Sequence, residues 1–303
     1  MAGAVITNAT RTVGFIGLGS MGLPMAKNLA ARGFAVRGFD VRPAAVHSLA
    51  EAGGARASTP VDAAKGVDVL VLMVVNAAQA EQVLFEGGAL AALSQNGIVV
   101  LMATCPPAAV EAIAARVTEA GRRFVDAPVS GGAVGAQAAT LTIMAAAPRA
   151  TFEAVTPVMR AIGEKVFHVG ERPGQGAMVK TVNQLLCGVH TAVAAEAFSL
   201  AGKVGVDLDV LLEIVGGSSA SSWMLKDRGA RMLQDDPPVT SAVDIFVKDL
   251  GIVLEAGRDT KAALPLAALA HQMFLAVSGQ GYGDVDDSQV IRAYRALNQS
   301  SNK

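Results

Sequence analysis

The chain has 303 residues, enough for two ordinary domains of about 150 each, and its 25 Lys and Arg nearly cancel its 26 Asp and Glu. A chain so balanced has no electrostatic footprint for a phosphate backbone, which excludes general nucleic-acid binding. At 52% hydrophobic and 17% charged it is no disordered polymer. Its two cysteines, Cys105 and Cys187, make no disulfide framework and suit a reducing, cytoplasmic setting.

The longest uncharged stretches, Gly87 to Val110 and Ala127 to Pro148, are broken by Gly-Gly or Pro. Neither offers the ~20 uninterrupted apolar residues of a spanning helix, so no membrane partner is expected. The residues before the first strand lack a basic run followed by an apolar core, so no signal peptide is expected.

In chain order, Thr12 to Ile16 reads as a strand and Pro24 to Ala31 as a helix closed by Gly33. Ala35 to Phe39 is a second strand, and Pro43 to Ala52 a second helix. Val67 to Val75, apolar almost throughout, suits a strand buried on both faces of a parallel sheet. Ile98 to Met102 and Arg123 to Val125 repeat the theme around a helix from Pro106 to Ala120. Leu141 to Ala145 and Lys165 to Val169 add strands around a helix from Arg149 to Ile162. This βαβα rhythm predicts a doubly wound α/β sheet. After Gly170 the rhythm stops. Ala177 to Val204 is one long helical pattern, and Leu208 to Val215, Ser222 to Leu233, Ser241 to Gly257, Leu266 to Gly279 and Ser288 to Ala296 continue it. Two domains are therefore expected, 1–170 and 171–303, the second all-α and the two sharing the long helix.

Gly17-Leu18-Gly19-Ser20-Met21-Gly22 is the strongest local motif. Alone it is weak among 32 glycines, but it follows a strand and opens a helix, the context of a Rossmann-type dinucleotide site. Gly17 permits the tight turn, Gly19 lets backbone approach a pyrophosphate, and Gly22 lets helix and strand pack closely. The helix N-terminus offers N–H donors to the phosphates. Asp40, at the end of the second strand, is placed to accept from the ribose hydroxyls and to repel a 2′-phosphate, which favours NAD over NADP. Arg42, two residues on, is the complication, because a guanidinium there could hold that phosphate. Val75-Asn76 and Thr104 close two further strands at the same edge, where they could meet the nicotinamide half.

Four motifs together carry a resemblance. Val13 to Leu29 (VGFIGLGSMGLPMAKNL) looks like the opening of the β-hydroxyacid dehydrogenase family, which includes 3-hydroxyisobutyrate dehydrogenase and tartronate semialdehyde reductase. Asp126-Ala127-Pro128-Val129-Ser130-Gly131-Gly132 resembles that family's substrate-binding loop, and Gly174 to Asn183 (GQGAMVKTVN) its catalytic segment. Lys248-Asp249-Leu250 resembles its C-terminal contact with cofactor and substrate. Within the family the chain looks most like the L-threonate dehydrogenase branch, on Val74 to Gln79, Ser222 to Met224, Ser241 to Leu250, Gly281 to Gly283 and Asp286 to Ser288. The resemblance implies NAD-dependent oxidation of a sugar acid to its 2-oxo acid.

The residues support that chemistry independently. Oxidising a secondary alcohol needs a hydride acceptor and a group to take the hydroxyl proton. No Ser-His-Asp arrangement or metal-ligand spacing is apparent, and no metal is expected. Lys180, near the start of an otherwise apolar helix, is the best proton acceptor. An exposed lysine keeps its proton to about pH 10, so this reading requires partial burial. Asn183 and Gln184 share its helix face, Asn183 to hold the substrate hydroxyl or the lysine amine and Gln184 as packing or support. Ser130, Gly131 and Gly132 offer a hydroxyl and two unhindered N–H groups to a substrate carboxylate. Lys248 could pair with substrate, while Asp244, one turn earlier, is expected to bridge to it along the helix.

Cys105 reads as a bystander, Cys187 as core, and Trp223 as pocket wall or subunit contact. The serines at 218, 219, 221 and 222 favour a polyol acid over 3-hydroxyisobutyrate. Besides these substrates, the alternatives are a non-catalytic dinucleotide-binding module, against which Lys180 and Asn183 argue, and an imine-reducing relative, disfavoured by the same lysine. The Ala-rich helical half predicts a homodimer or homotetramer.

Overall fold

The computed structural model describes residues 12–298. The N-terminal stretch in which no signal peptide was expected lies outside them. Two compact units divide at Lys180/Thr181.

The first unit is built on a sheet of strands β1 (Thr12–Ile16), β2 (Ala35–Phe39), β3 (Ala55–Arg56), β4 (Val69–Leu72), β5 (Ile98–Leu101) and β6 (Arg123–Asp126), followed by β7 (Val129–Ser130), β8 (Thr142–Ala146) and β9 (Lys165–Gly170). Helices fill the crossovers: α1 (Gly22–Ala31), α2 (Pro43–Glu51), α3 (Pro60–Ala64), α4 (Ala77–Glu81), α5 (Ala89–Ala92), α6 (Pro107–Glu119), α7 (Gly132–Ala138) and α8 (Arg149–Arg160). The first six strands are parallel and ordered β3-β2-β1-β4-β5-β6. That is the Rossmann-type order, and its direction of winding reverses between β1 and β4. β4 (VLVL) and β5 (IVVL) are buried at every residue because helices cover both faces. Two cores result, one around Phe15, Met25 and Val71 on one face, the other around Leu70, Leu84 and Ile113 on the opposite face.

The expected parallel sheet stops at β6. Beyond it β6 and β7 both pair antiparallel with β8 in one unbroken register, Asp126 opposite Ala146, Val129 opposite Ile143 and Ser130 opposite Thr142. The chain thus continues past the carboxyl edge as β7 and returns as β8, overhanging the edge by roughly 13 Å at ~3.3 Å per residue. The two uncharged stretches resolve into such short strands and helices. Among the described residues only α9 (Gln175–Lys203) is long and apolar enough to cross a membrane, and it too is partly buried.

The second unit is helical, as expected: the rest of α9, then α10 (Leu208–Gly216), α11 (Trp223–Met232), α12 (Val243–Thr260), α13 (Pro265–Val277) and α14 (Ile291–Asn298). Its core gathers Phe198, Met232, Phe246, Leu250, Phe274 and Ile291. Phe246 and Phe274 stack with ring centroids 5.0 Å apart, joining α12 to α13. The division between the two units falls inside α9, whose first turn bonds to β6 of the first unit.

Candidate active site

Gly17 leaves β1 with φ +93°, and a Cβ on it would collide with the Met73 carbonyl at the end of β4. A Cβ on Gly22 would collide with the Gly17 carbonyl. Both glycines are therefore required by the turn itself. Gly19 differs. The nearest atom to a Cβ there is Arg42 Nη2, 3.8 Å away, so packing leaves room for a side chain. The backbone at 19 is therefore open to approach, as a pyrophosphate lying against it would need. Leu18 is buried beneath the loop, Met21 is half-buried and Ser20 exposed. No side chain among the described residues caps α1, whose N-terminus faces this loop and suits an anion.

Asp40 stands just past β2. Its Oδ2 accepts from Leu18 N–H at 2.7 Å, and its Oδ1 from Arg42 N–H at 2.9 Å. Arg42 also donates from Nε to Oδ1 and from Nη2 to the Leu18 carbonyl, each at 3.0 Å. Burial works to raise this carboxyl, but the hydrogen bonds from Arg42 and Leu18 and the guanidinium charge outweigh it and hold it below the usual range. Arg42, read as a possible phosphate holder, is here bonded to Asp40 and to the Leu18 carbonyl.

β4 ends at Leu72, three residues before its expected end, and Val75 is exposed beyond it. Asn76 uses its Oδ1 to cap α4, accepting from Gln79 N–H at 2.9 Å. Thr104 is half-buried after β5, and Cys105 beside it is buried. Ser130 ends β7, and Gly131 (φ +129°) and Gly132 (φ +62°) turn the chain into α7 on the overhang. Asn28 of α1, which sequence reasoning passed over, donates from Nδ2 to Ala136 O at 2.8 Å, tying the helix after the glycine loop to the helix after Ser130.

The other residue missed is Asp126, the last of β6 and 1% exposed. Its Oδ2 accepts from Gly174 N–H at 2.9 Å and Ala177 N–H at 2.8 Å. Burial pushes its carboxyl up to about 6 against these bonds and one from Gly176. It stands at the head of the 126–132 motif, directly before the uncharged stretch from Ala127 to Pro148. Lys180 follows Ala177 by three residues and is 7% exposed.

In the second unit Asn183 donates from Nδ2 to Gln184 Oε1 at 2.9 Å and to Cys187 Sγ at 3.4 Å. Gln184 Nε2 donates to Asp249 Oδ2 at 2.5 Å, and Lys248 Nζ pairs with Asp249 Oδ1 at 3.0 Å. The expected Asp244–Lys248 bridge is overturned. Asp244 instead accepts from Ser278 Oγ at 2.6 Å, because the Ser278–Tyr282 turn packs against the start of α12. Ser222 caps α11 and Ser218 donates to Val215 O, so these two serines finish helices. Trp223 is 60% exposed.

Residues 12–170 match the family model described as the NAD binding domain of 6-phosphogluconate dehydrogenase. Residues 174–294 match the one described as NAD-binding of NADP-dependent 3-hydroxyisobutyrate dehydrogenase. The chain is 44% identical to an L-threonate dehydrogenase of Cupriavidus necator, over 95% of this chain and 97% of that one. It is 41% identical to an L-threonate dehydrogenase of Haemophilus influenzae, over 96% and 97%. A crystal structure of a 3-hydroxyisobutyrate dehydrogenase from Salmonella typhimurium superposes with a TM-score of 0.89 at 41% identity, covering 93% of this chain and 99% of that one.

Proposed function

Because this chain belongs to the β-hydroxyacid dehydrogenase family, with dehydrogenase models matching both its halves and an L-threonate dehydrogenase matching nearly its whole length, we propose that it oxidises the CH–OH group of L-threonate to a 2-oxo acid with NAD. The observation that carries the substrate is the 44% identity to an L-threonate dehydrogenase along nearly the whole chain. The observation that carries the cofactor is the glycine loop, open at Gly19 and walled by Asp40.

Each residue then has a task. Gly17 to Gly22, with Val75, Asn76 and Thr104, hold the dinucleotide, and Asp40 takes the ribose hydroxyls in place of one of its present donors. Bound NAD supplies the hydride acceptor. The Ser130 hydroxyl and the N–H groups of Gly131 and Gly132 receive the substrate carboxylate. Lys180 takes the hydroxyl proton as the alcohol becomes a carbonyl, and returns it in the reverse direction.

The test is NADH formation at mildly alkaline pH with L-threonate, D-threonate, both erythronates, 3-hydroxyisobutyrate and D-glycerate. Preference for L-threonate is expected. The second reading is 3-hydroxyisobutyrate oxidation, favoured by the superposition on a structure of that name, and preference for that acid would select it. Silence with all the acids, while NAD binds, would turn attention to a non-catalytic dinucleotide module.

The chain is also proposed to self-associate. Val182, Leu186, Val193 and Leu200 recur along one side of α9 and are 49–61% exposed. Light scattering at micromolar concentration should give a dimer or tetramer mass, and a monomer mass would refute it.

A further inference from the structure

We propose that Asp126 is a positioning residue for proton transfer: its carboxylate clasps the first turn of α9 to the end of β6 and so sets where Lys180 stands. The inference rests on the reading of Lys180 as the proton acceptor, and deepens it.

A helix is ordinarily capped by the residue just before it, a local bond that fixes nothing beyond the turn. Here the segment before α9 is Arg172-Pro173-Gly174, and the acceptor comes from a strand 48 residues earlier in the chain. Asp126 is itself immobile. Its backbone is paired with Leu101 on one side and Ala146 on the other, so the carboxylate projects from a doubly held strand end. From there Oδ2 takes two N–H groups of the entering turn, Gly174 at 2.9 Å and Ala177 at 2.8 Å.

Gly176 closes the fit. A Cβ on it would meet Met144 O at 2.5 Å and Asp126 O at 2.8 Å, so this turn lies directly on the backbones of β6 and β8. Gly174 enters with φ +91°, and a Cβ there would meet Glu111 Oε1 of α6 at 2.6 Å. The helix can neither slide nor rotate at this point without losing the Asp126 bonds. Lys180 lies one turn beyond Ala177 on the same rigid rod. A shift of about 1 Å at a reacting group can cost ~10²-fold in rate. A clasp on the preceding turn is where such a shift would be prevented.

The test measures steady-state oxidation of the preferred hydroxy acid at saturating NAD, with wild type, Asp126→Asn, Lys180→Ala and the double variant. Asp126→Asn is expected to lower kcat about tenfold or more, while the KM for the acid and the affinity for NAD move less than about threefold. In the Lys180→Ala background the same change should cost less than about twofold, because no lysine remains to be placed. Asp126→Glu, which keeps the charge but displaces it by one methylene, should show the same kcat-specific loss. It serves as the readout if the Asn variant does not fold.

Wild-type kcat in these Asp126 variants overturns the proposal. So does a full tenfold loss that persists without Lys180, which would make the effect independent of the lysine. Wild-type turnover in Lys180→Ala alone overturns the assignment of Lys180 itself, and is seen whatever the Asp126 variants do.

Discussion

Arg42 Nε lies 3.0 Å from Asp40 Oδ1, a charge-assisted bond that ties the first residues after β2 to the glycine loop. On the proposed reading Asp40 takes the ribose hydroxyls, and its charge disfavours a 2′-phosphate. Asp40→Ala should therefore weaken NAD and narrow the NAD-to-NADP ratio of kcat/KM by about tenfold or more, the worth of a charged hydrogen bond. An unchanged ratio would move discrimination elsewhere.

Lys180→Ala should reduce turnover by at least ~10²-fold, the low end of acid–base catalysis. NAD binding, followed by fluorescence or calorimetry, should persist, since the glycine loop is untouched. Near-wild-type turnover would remove Lys180 from the reaction.

Asp126 gives a signature in stability as well as rate. Its carboxyl is raised from 3.8 to about 6, chiefly by burial, so between about pH 4 and 6 the folded protein holds a proton there that the unfolded chain has released. Its contribution to stability is therefore greatest below about pH 4, falls as pH rises toward 6, and is level above that. The loss amounts to about 3 kcal/mol at most. Urea denaturation should show wild type losing stability relative to Asp126→Asn between pH 4 and 6. A flat difference would mean an ordinary, unshifted carboxyl.

A buried ion cluster in the second unit predicts a large structural effect. Arg228 meets both oxygens of Asp287, Nε at 2.7 Å and Nη2 at 2.9 Å, and Asp287 is fully buried. Arg231 holds Asp286 next to it at 3.0 Å. Removing one partner strands the other charge, so Arg228→Met should cost about 3–5 kcal/mol. Chemical unfolding measures it, and a loss under about 1 kcal/mol would show the cluster to be dispensable.

The parallel half of the fold was readable because its central strands are short, continuously apolar and preceded by glycines, as β4 and β5 are. The reversal at β8 was not. Thr142–Ala146 is as apolar as the parallel strands, and direction leaves no trace in composition. The turn formed by Gly17, Gly19 and Gly22 could be placed because a strand before and a helix after give their spacing its meaning. Asp244 was misjudged because spacing along α12 shows which side chains can meet within the helix. It says nothing of Ser278, which arrives from a turn 34 residues later. Asp126 and Asn28 were overlooked for a related reason. Their bonds reach backbone atoms, and a backbone partner carries no residue type to search for.

The excursion from β6 through β7 and back along β8 leaves and re-enters the sheet at Asp126 and Ala146, which are paired neighbours. The detour between is tied back at three further places: Thr142 to Ala145 pair with β9, Asn28 of α1 donates to Ala136 O, and Gly176 of α9 lies on Met144 O. A change of length anywhere in 127–145 is therefore felt at the helix after the glycine loop and at the entry to α9 as well as at Ser130.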